Sequence, residues 1–223
     1  MALLAPASLA LAQTLFCGLG PPPGSPGFAQ HEQAQDQQRR TLGYVLVCDE
    51  NLRRFDYASM AKPLKEAAGR LAFTPVPLDS TPFKDFVALG GMPDMFMGAA
   101  GPAALHRTFR TPQGHIVDLF EWDMSVAGGQ ITARADLQTE QVNGTPAQII
   151  VLQAPSGKAV SILSWIEGRR RYELSISANV KTSRLSPTLV QLASSIPKSV
   201  PARMREAESA FPFPPPPQPP TFK

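Results

Sequence analysis

Residues 142–176 read VNGTPAQIIVLQAPSGKAVSILSWIEGRRRYELSI. Three β-type runs are separated here by turn signals. Asn143-Gly144 is a strong two-residue hairpin signal. Ala154-Pro155-Ser156-Gly157 and Glu167-Gly168-Arg169-Arg170 are turns by composition. Counting outward from these turns sets Trp165 opposite Tyr172, Leu163 opposite Leu174, and Ser161 opposite Ile176. It also sets Leu152 opposite Ala159 and Ile150 opposite Ser161. One sheet face then carries Ile150, Leu152, Leu163, Trp165, Tyr172, Leu174 and Ile176, a core face with an aromatic cross-strand pair. The other face carries Ile149, Val151, Val160, Ile162 and Ile166 on two strands, but Arg171, Glu173, Ser175 and Ser177 on the third. That second apolar patch needs a cover. A helix of the same chain is the first expectation; a ligand groove or a partner surface is the alternative.

A suitable helix follows. Leu185-Ser186-Pro187 reads as staple residue, N-cap and first helical proline. Leu189, Leu192, Ala193 and Ile196 form one stripe, and Pro197 stops the helix. Upstream, Thr111-Pro112-Gln113-Gly114 predicts another hairpin. Counting from it sets Arg110 opposite His115, Phe109 opposite Ile116, Arg107 opposite Asp118 and Leu105 opposite Phe120, with Arg107 and Asp118 an exposed ion pair. Met60, Leu64, Ala67, Ala68 and Leu71 have helical spacing, with Pro63 near a helix start. The expected fold is α+β: an antiparallel meander packed against a C-terminal helix near 186–196, with one further helix near 56–71.

The 223 residues suffice for one ordinary domain and tails. Lys+Arg 21 against Asp+Glu 18 leaves +3, too little surplus to argue for nucleic acid. Two cysteines exclude a disulfide-rich scaffold and a four-cysteine zinc site. Residues 1–29 read as a signal peptide: Leu3 to Leu19 is apolar but too broken to span a membrane. Cleavage after Ala29 fits the small residues at Gly27 and Ala29, and Ala10-Leu11-Ala12 before Gln13 is an earlier option. The later site would leave Cys48 without a partner, a small buried hydrophobe. Residues 30–40 form a polar linker or frayed helix, 41–200 the α+β domain, and 201–223 a proline-rich disordered tail.

The segments Val142-Asn143-Gly144-Thr145-Pro146-Ala147, Ser164-Trp165-Ile166-Glu167-Gly168-Arg169 and Tyr172-Glu173-Leu174, then the helix Leu189 to Ile196, carry a family resemblance. Residues 103–198 resemble the extracytoplasmic sensor domain of bacterial anti-sigma factors and the C-terminal domain of the periplasmic regulator MucB/RseB. The resemblance implies an exported, non-enzymatic module, periplasmic or secreted, that binds an envelope protein or a lipid-like ligand. It brings no catalytic residues with it. The sequence shows neither a sigma-binding domain nor a membrane span between domains, so anti-sigma activity is not implied.

Catalytic signatures are sparse. There is no phosphate-binding loop, dinucleotide fingerprint, zinc-protease helix or nucleophile elbow, and no cofactor or metal is expected. Cys48 with His106 or His115 is a remote thiol–base pair. Glu121 and Asp123 alternate onto one face around Trp122, expected at an exposed strand end. Arg169, Arg170 and Arg171 make a basic hairpin tip suited to a solvated turn or to peripheral contact with anionic lipid. Met92, Met95, Phe96 and Met97 form a flexible apolar segment of the kind used in adaptable binding. Laid over Ile149, Val151, Val160 and Ile162, it would close a pocket. The functional expectation is a binding or sensor-like module for a protein or apolar ligand. The alternative is a lipid or lipoprotein carrier with its cavity between sheet and helix.

Overall fold

The computed structural model describes residues 14–199 apart from residues 99, 129, 130 and 132. Residues 1–13 and the proline-rich run at 211–220 lie outside the described residues. In chain order the elements are α1 (Phe28–Leu42), β1 (Val45–Leu46), α2 (Asp49–Arg53), α3 (Tyr57–Met60), α4 (Leu64–Ala68), β2 (Val87–Pro93), β3 (Met97–Gly98) and β4 (Gly101–Pro102). Then come β5 (Ala104–Arg110), β6 (Ile116–Asp123), α5 (Met124–Ala127), β7 (Glu140–Val142), β8 (Thr145–Gln153), β9 (Ala159–Glu167), β10 (Arg170–Ile176) and α6 (Ser186–Ser194). An eight-stranded sheet runs β1-β8-β9-β10-β6-β5-β2, with β7 on β8. All its pairs are antiparallel except β1 on β8. The α+β class stands, with an antiparallel meander and a C-terminal helix.

Two of the three hairpin registers counted on the sequence differ in the structure, for one shared reason. After β8, Ala154 N–H donates to Lys158 O at 2.8 Å and Gly157 N–H to Ala154 O at 3.0 Å, with Gly157 at φ 86. This is a turn followed by a left-handed glycine bulge, which adds one residue to the loop. Leu152 therefore pairs with Val160, Val151 with Ser161 and Ile150 with Ile162. A one-residue shift moves every side chain of a strand to the other face. Ile149 and Val151 join the Trp165–Tyr172 face, and Ile150 and Leu152 leave it. The β5–β6 turn repeats the device: Thr111 N–H donates to His115 O, Gly114 N–H to Thr111 O, and Gly114 has φ 87. Phe109 then pairs with Val117, Thr108 with Asp118 and Leu105 with Glu121. Arg107 and Asp118 lie on opposite faces, and the expected Arg107–Asp118 pair does not form. The two-residue loops at Asn143-Gly144 and Gly168-Arg169 carry no bulge. There Val142 pairs with Thr145, and Trp165 pairs with Tyr172 as counted.

The main core lies on the Trp165–Tyr172 face. Val117, Leu119, Val151, Leu163, Leu174 and the stacked Trp165–Tyr172 pair (4.9 Å) meet Leu189, Leu192, Ala193 and Ile196 of α6. Val76, Leu78 and Phe83 of the segment before β2 complete this layer. So α6 covers the first face and not the second apolar patch. Ser186 does not cap α6; its Oγ donates to Val180 O at 3.3 Å, and Leu185 occupies the cap position. The helix expected near 56–71 is two short ones, because Pro63 supplies no N–H and starts α4 afresh.

Four charged side chains are buried on the same core face. Glu121 has no exposed surface, and Asp123, Arg170 and Arg107 are at most 6% exposed. Arg107 is paired with Glu121, and Arg170 lies 3.0 Å from Asp123 and 3.6 Å from Glu121. Glu121 accepts the Val76 N–H at 3.0 Å, while Arg107 donates to Val76 O and Arg170 to Thr74 O. The expectation of an exposed strand end for Glu121 and Asp123 is thus corrected. Each buried charge has an opposite partner, the condition under which burial is tolerated. Together they fasten residues 74–76 across the sheet.

Candidate functional site

The second face carries Ile150 and Leu152 of β8, Val160, Ile162 and Ile166 of β9, and Phe120 and Trp122 of β6. Its cover over β8 and β9 is the N-terminal part of the chain. Cys17 is disulfide-bonded to Cys48, so Cys48 is not a lone thiol. Phe16 lies beside Val47 as a parallel bridge: its N–H donates to Leu46 O and its carbonyl accepts from Cys48 N–H, each at 3.0 Å. The Asn51 amide holds Gly18 from both sides, accepting its N–H at 3.0 Å and donating to its carbonyl at 2.8 Å. From α1, Gln38 accepts the Leu46 N–H and donates to Thr14 O. Residues 30–40 are thus the body of a helix docked on the fold.

Beneath this cover is a cavity of about 260 Å³. Ile150, Leu152 and Ile162 form its floor, Phe16, Val47 and Phe55 its apolar walls, and His31, Gln35, Arg39, Asn51 and Arg54 its polar lining. The His31 ring stands edge-on to Phe16 at 4.8 Å. A Cβ on Gly20 would come within 2.5 Å of that ring, so a larger residue there would push the His31 side chain aside. Arg39 is fixed by Asp36 and by Gln35 at 3.3 Å, with its Nε buried and unpartnered. Arg54 makes no ion pair or side-chain hydrogen bond among the described residues and lies 5.2 Å from the Phe55 ring centre.

A second cavity, about 300 Å³, adjoins Gln148, Ser164, Ile166 and Arg171 of the same face. It is roofed by Ile131, Ala133, Arg134, Leu137 and Gln138. Arg134 clamps this loop to α1, at 2.7 Å from Asp36 and 3.1 Å from Glu32. Its hydrogen bond holds the Asp36 carboxyl below the usual carboxylate range.

Further along this face is a buried polar cluster. His106 Nδ1 lies 2.7 Å from Asp118 Oδ2, and its Nε2 lies 3.4 Å from Asp94. Thr108 Oγ1 donates to the other Asp118 oxygen at 2.7 Å. Tyr57 stacks on the imidazole at 4.1 Å and Phe120 closes the other side at 4.7 Å. Burial depresses His106, but the hydrogen bonds to Asp118 and Asp94 more than reverse this, and its pKa is pushed up to about 9. With a carboxylate on each ring nitrogen, the imidazolium has no lone pair for a substrate proton.

The sequence-predicted site residues are not brought together. Val160 and Ile162 lie on the second face, whereas Ile149 and Val151 pack against the main core. Met92 pairs with His106 across β2 and β5. Phe96 stacks on Trp122 at 4.1 Å, while Met95 and Met97 are 90% and 61% exposed. The methionine segment therefore sits at the β5–β6 end, away from Val160 and Ile162. The basic tip is divided: Arg170 is buried on the core face, Arg171 lines the second cavity beside Glu173, and Arg169 stays at the turn. No thiol faces His106 or His115, since both cysteines are bonded. The lining residues Phe16, His31, Arg39, Asn51, Arg54 and Phe55 were missed. Their one sequence signal was the cysteine pair near which they lie.

Among the described residues no helix is long and apolar enough to cross a membrane. No family model, no curated protein and no solved structure matches the chain.

Proposed function

We propose that this chain is an exported binding module, without catalytic machinery, that holds a small apolar molecule between the second face of its sheet and its N-terminal cover. The observation that carries the proposal is the 260 Å³ cavity with its Ile150, Leu152 and Ile162 floor. Its size is just below the usual range for small-molecule pockets, and its make-up is the usual one, an apolar lining with a few polar groups at fixed places. Export is supported by the Cys17–Cys48 bond, which suits an oxidising compartment, and by the apolar stretch that precedes it. The resemblance to extracytoplasmic sensor domains points the same way. This reading requires Phe16 and Cys17 to remain in the mature chain, which cleavage after Ala29 would not allow.

The test is native mass spectrometry of the oxidised protein purified from an envelope fraction, followed by titration of 1-octanol while the Ile150 and Ile162 methyl resonances are observed. An adduct, or methyl shifts that saturate and vanish in Ile162→Phe, supports the module. A bare mass with methyls indifferent to octanol refutes it.

A second reading, docking of an envelope protein, is favoured by Met95 and Met97, which stand in solvent although apolar. Replacing both by Gln would then abolish partner capture and leave octanol binding unchanged.

A further inference from the structure

We infer that the ligand of the N-terminal cavity is an amphiphile of medium chain length bearing a carboxylate, its tail on Ile150, Leu152 and Ile162 and its head at Arg54. The inference rests on the cavity reading above and adds the ligand's charge and size. Arg39 and Arg54 line the cavity and no acidic side chain does. The two arginines are not equivalent. Arg39 is occupied by Asp36 and Gln35. Arg54 is exposed and has no ion pair or side-chain hydrogen bond among the described residues, so its guanidinium can turn toward a bound head group. Guanidinium and carboxylate match as a two-point, charge-assisted pair, whereas an ammonium head would meet only repulsion here.

Size sets the chain length. The cavity holds about 260 Å³. That is just below the range of pockets that enclose drug-sized ligands, so one short chain is the size that suits it. An eight-carbon chain fits with its head at the mouth, and a two-chain lipid does not. The floor offers no hydrogen-bond partner, so the enclosed part of the ligand is hydrocarbon.

The experiment compares octanoate, 1-octanol and protonated octylamine on the full oxidised chain at neutral pH, by calorimetry and by the Ile150 and Ile162 methyl resonances. Octanoate is expected to bind up to about fivefold tighter than octanol, the equivalent of one solvent-exposed ion pair. Octylamine is expected to bind more weakly than either. Arg54→Gln should bring octanoate to the octanol level and Arg54→Lys should restore part of the difference. Arg54 is exposed, so an unchanged melting curve distinguishes this loss from unfolding. If octanol shifts the methyls but octanoate binds no tighter, or Arg54→Gln changes nothing, the carboxylate assignment falls and the cavity reading stands. If neither compound moves the methyls, both fall.

Discussion

His106 offers the sharpest test of the second-face geometry. Its imidazolium bridges Asp118 and Asp94 beneath Tyr57, and its pKa is pushed from 6.5 to about 9. A group with a raised folded pKa gives stability that is complete below the unfolded value and is lost as pH rises through the folded one. Between those values the native state keeps a proton that the unfolded chain has released. At about 1.4 kcal/mol per pH unit, the shift corresponds to about 3 kcal/mol. The measurement is urea unfolding of the wild type and of His106→Asn at half-unit steps from pH 6 to pH 10. The wild-type advantage over the variant should be largest near pH 6 and decline by about 3 kcal/mol by pH 10. Asp94, held low first by its hydrogen bond to His106, has the opposite dependence, with stability lost only in acid below this range. Tyr57 is pushed above the phenol range, by burial first and then by the Asp118, Glu173 and Asp94 charges, so it stays protonated throughout. A wild-type advantage that is flat within about 0.5 kcal/mol from pH 6 to pH 10 would refute the carboxylate–imidazolium–carboxylate arrangement.

Other perturbations address the remaining parts of the fold. Glu121→Gln leaves Arg107 and Arg170 buried with one carboxylate fewer and should cost about 3–5 kcal/mol in urea unfolding. Replacing Cys17 and Cys48 together by Ser opens a link of sequence separation 31 and should cost about 3–4 kcal/mol on the chain-entropy estimate. Hydrogen exchange in that variant should rise first at Phe16 and Val47; uniform protection would count against a local tether. Gly157→Ala and Gly114→Ala force a side chain into left-handed backbone at φ 86 and 87, and should each cost about 1–2 kcal/mol in the same assay although both sites face open space. The mass of the mature envelope protein should show that Phe16 and Cys17 are retained, and a start at Gln30 would contradict their covering role.

The readable part of the fold was the part governed by local chemistry. Asn143-Gly144 and Gly168-Arg169 close two-residue loops, and the pairs flanking them follow from simple counting. At Gly157 and Gly114 the same composition encodes a turn plus a bulge, and one extra loop residue reverses a strand. That error exchanged Ile149 and Val151 for Ile150 and Leu152, and it paired Arg107 with the wrong acid. The partner of Arg107 is Glu121, on the same face, and nothing in the β6 sequence marks Glu121 as more buried than a surface carboxylate. Its burial depends on residues 74–76 crossing the sheet, a long-range event with no local signature.

The N-terminal cover escaped detection for a different reason, one that bears on the proposed function. A helix packed by hydrophobic contact announces itself by an apolar stripe. In α1 the one fully buried residue among those described is Gln38. The helix is fastened instead by the Gln38 amide and by Arg134 on Asp36 and Glu32. Such hydrogen bonds contribute only about 0.5–1.5 kcal/mol each, because water competes for the same groups. Lifting α1 alone therefore exchanges mainly polar contacts for hydration at modest cost, while Phe16, Val47 and Leu52 stay packed on Leu152 and Val160. A packed apolar lid would charge its full burial energy for each opening. On the proposed binding reading, α1 is thus the part of the cover that opens, while the disulfide and the Phe16–Val47 contact hold the rest to the sheet.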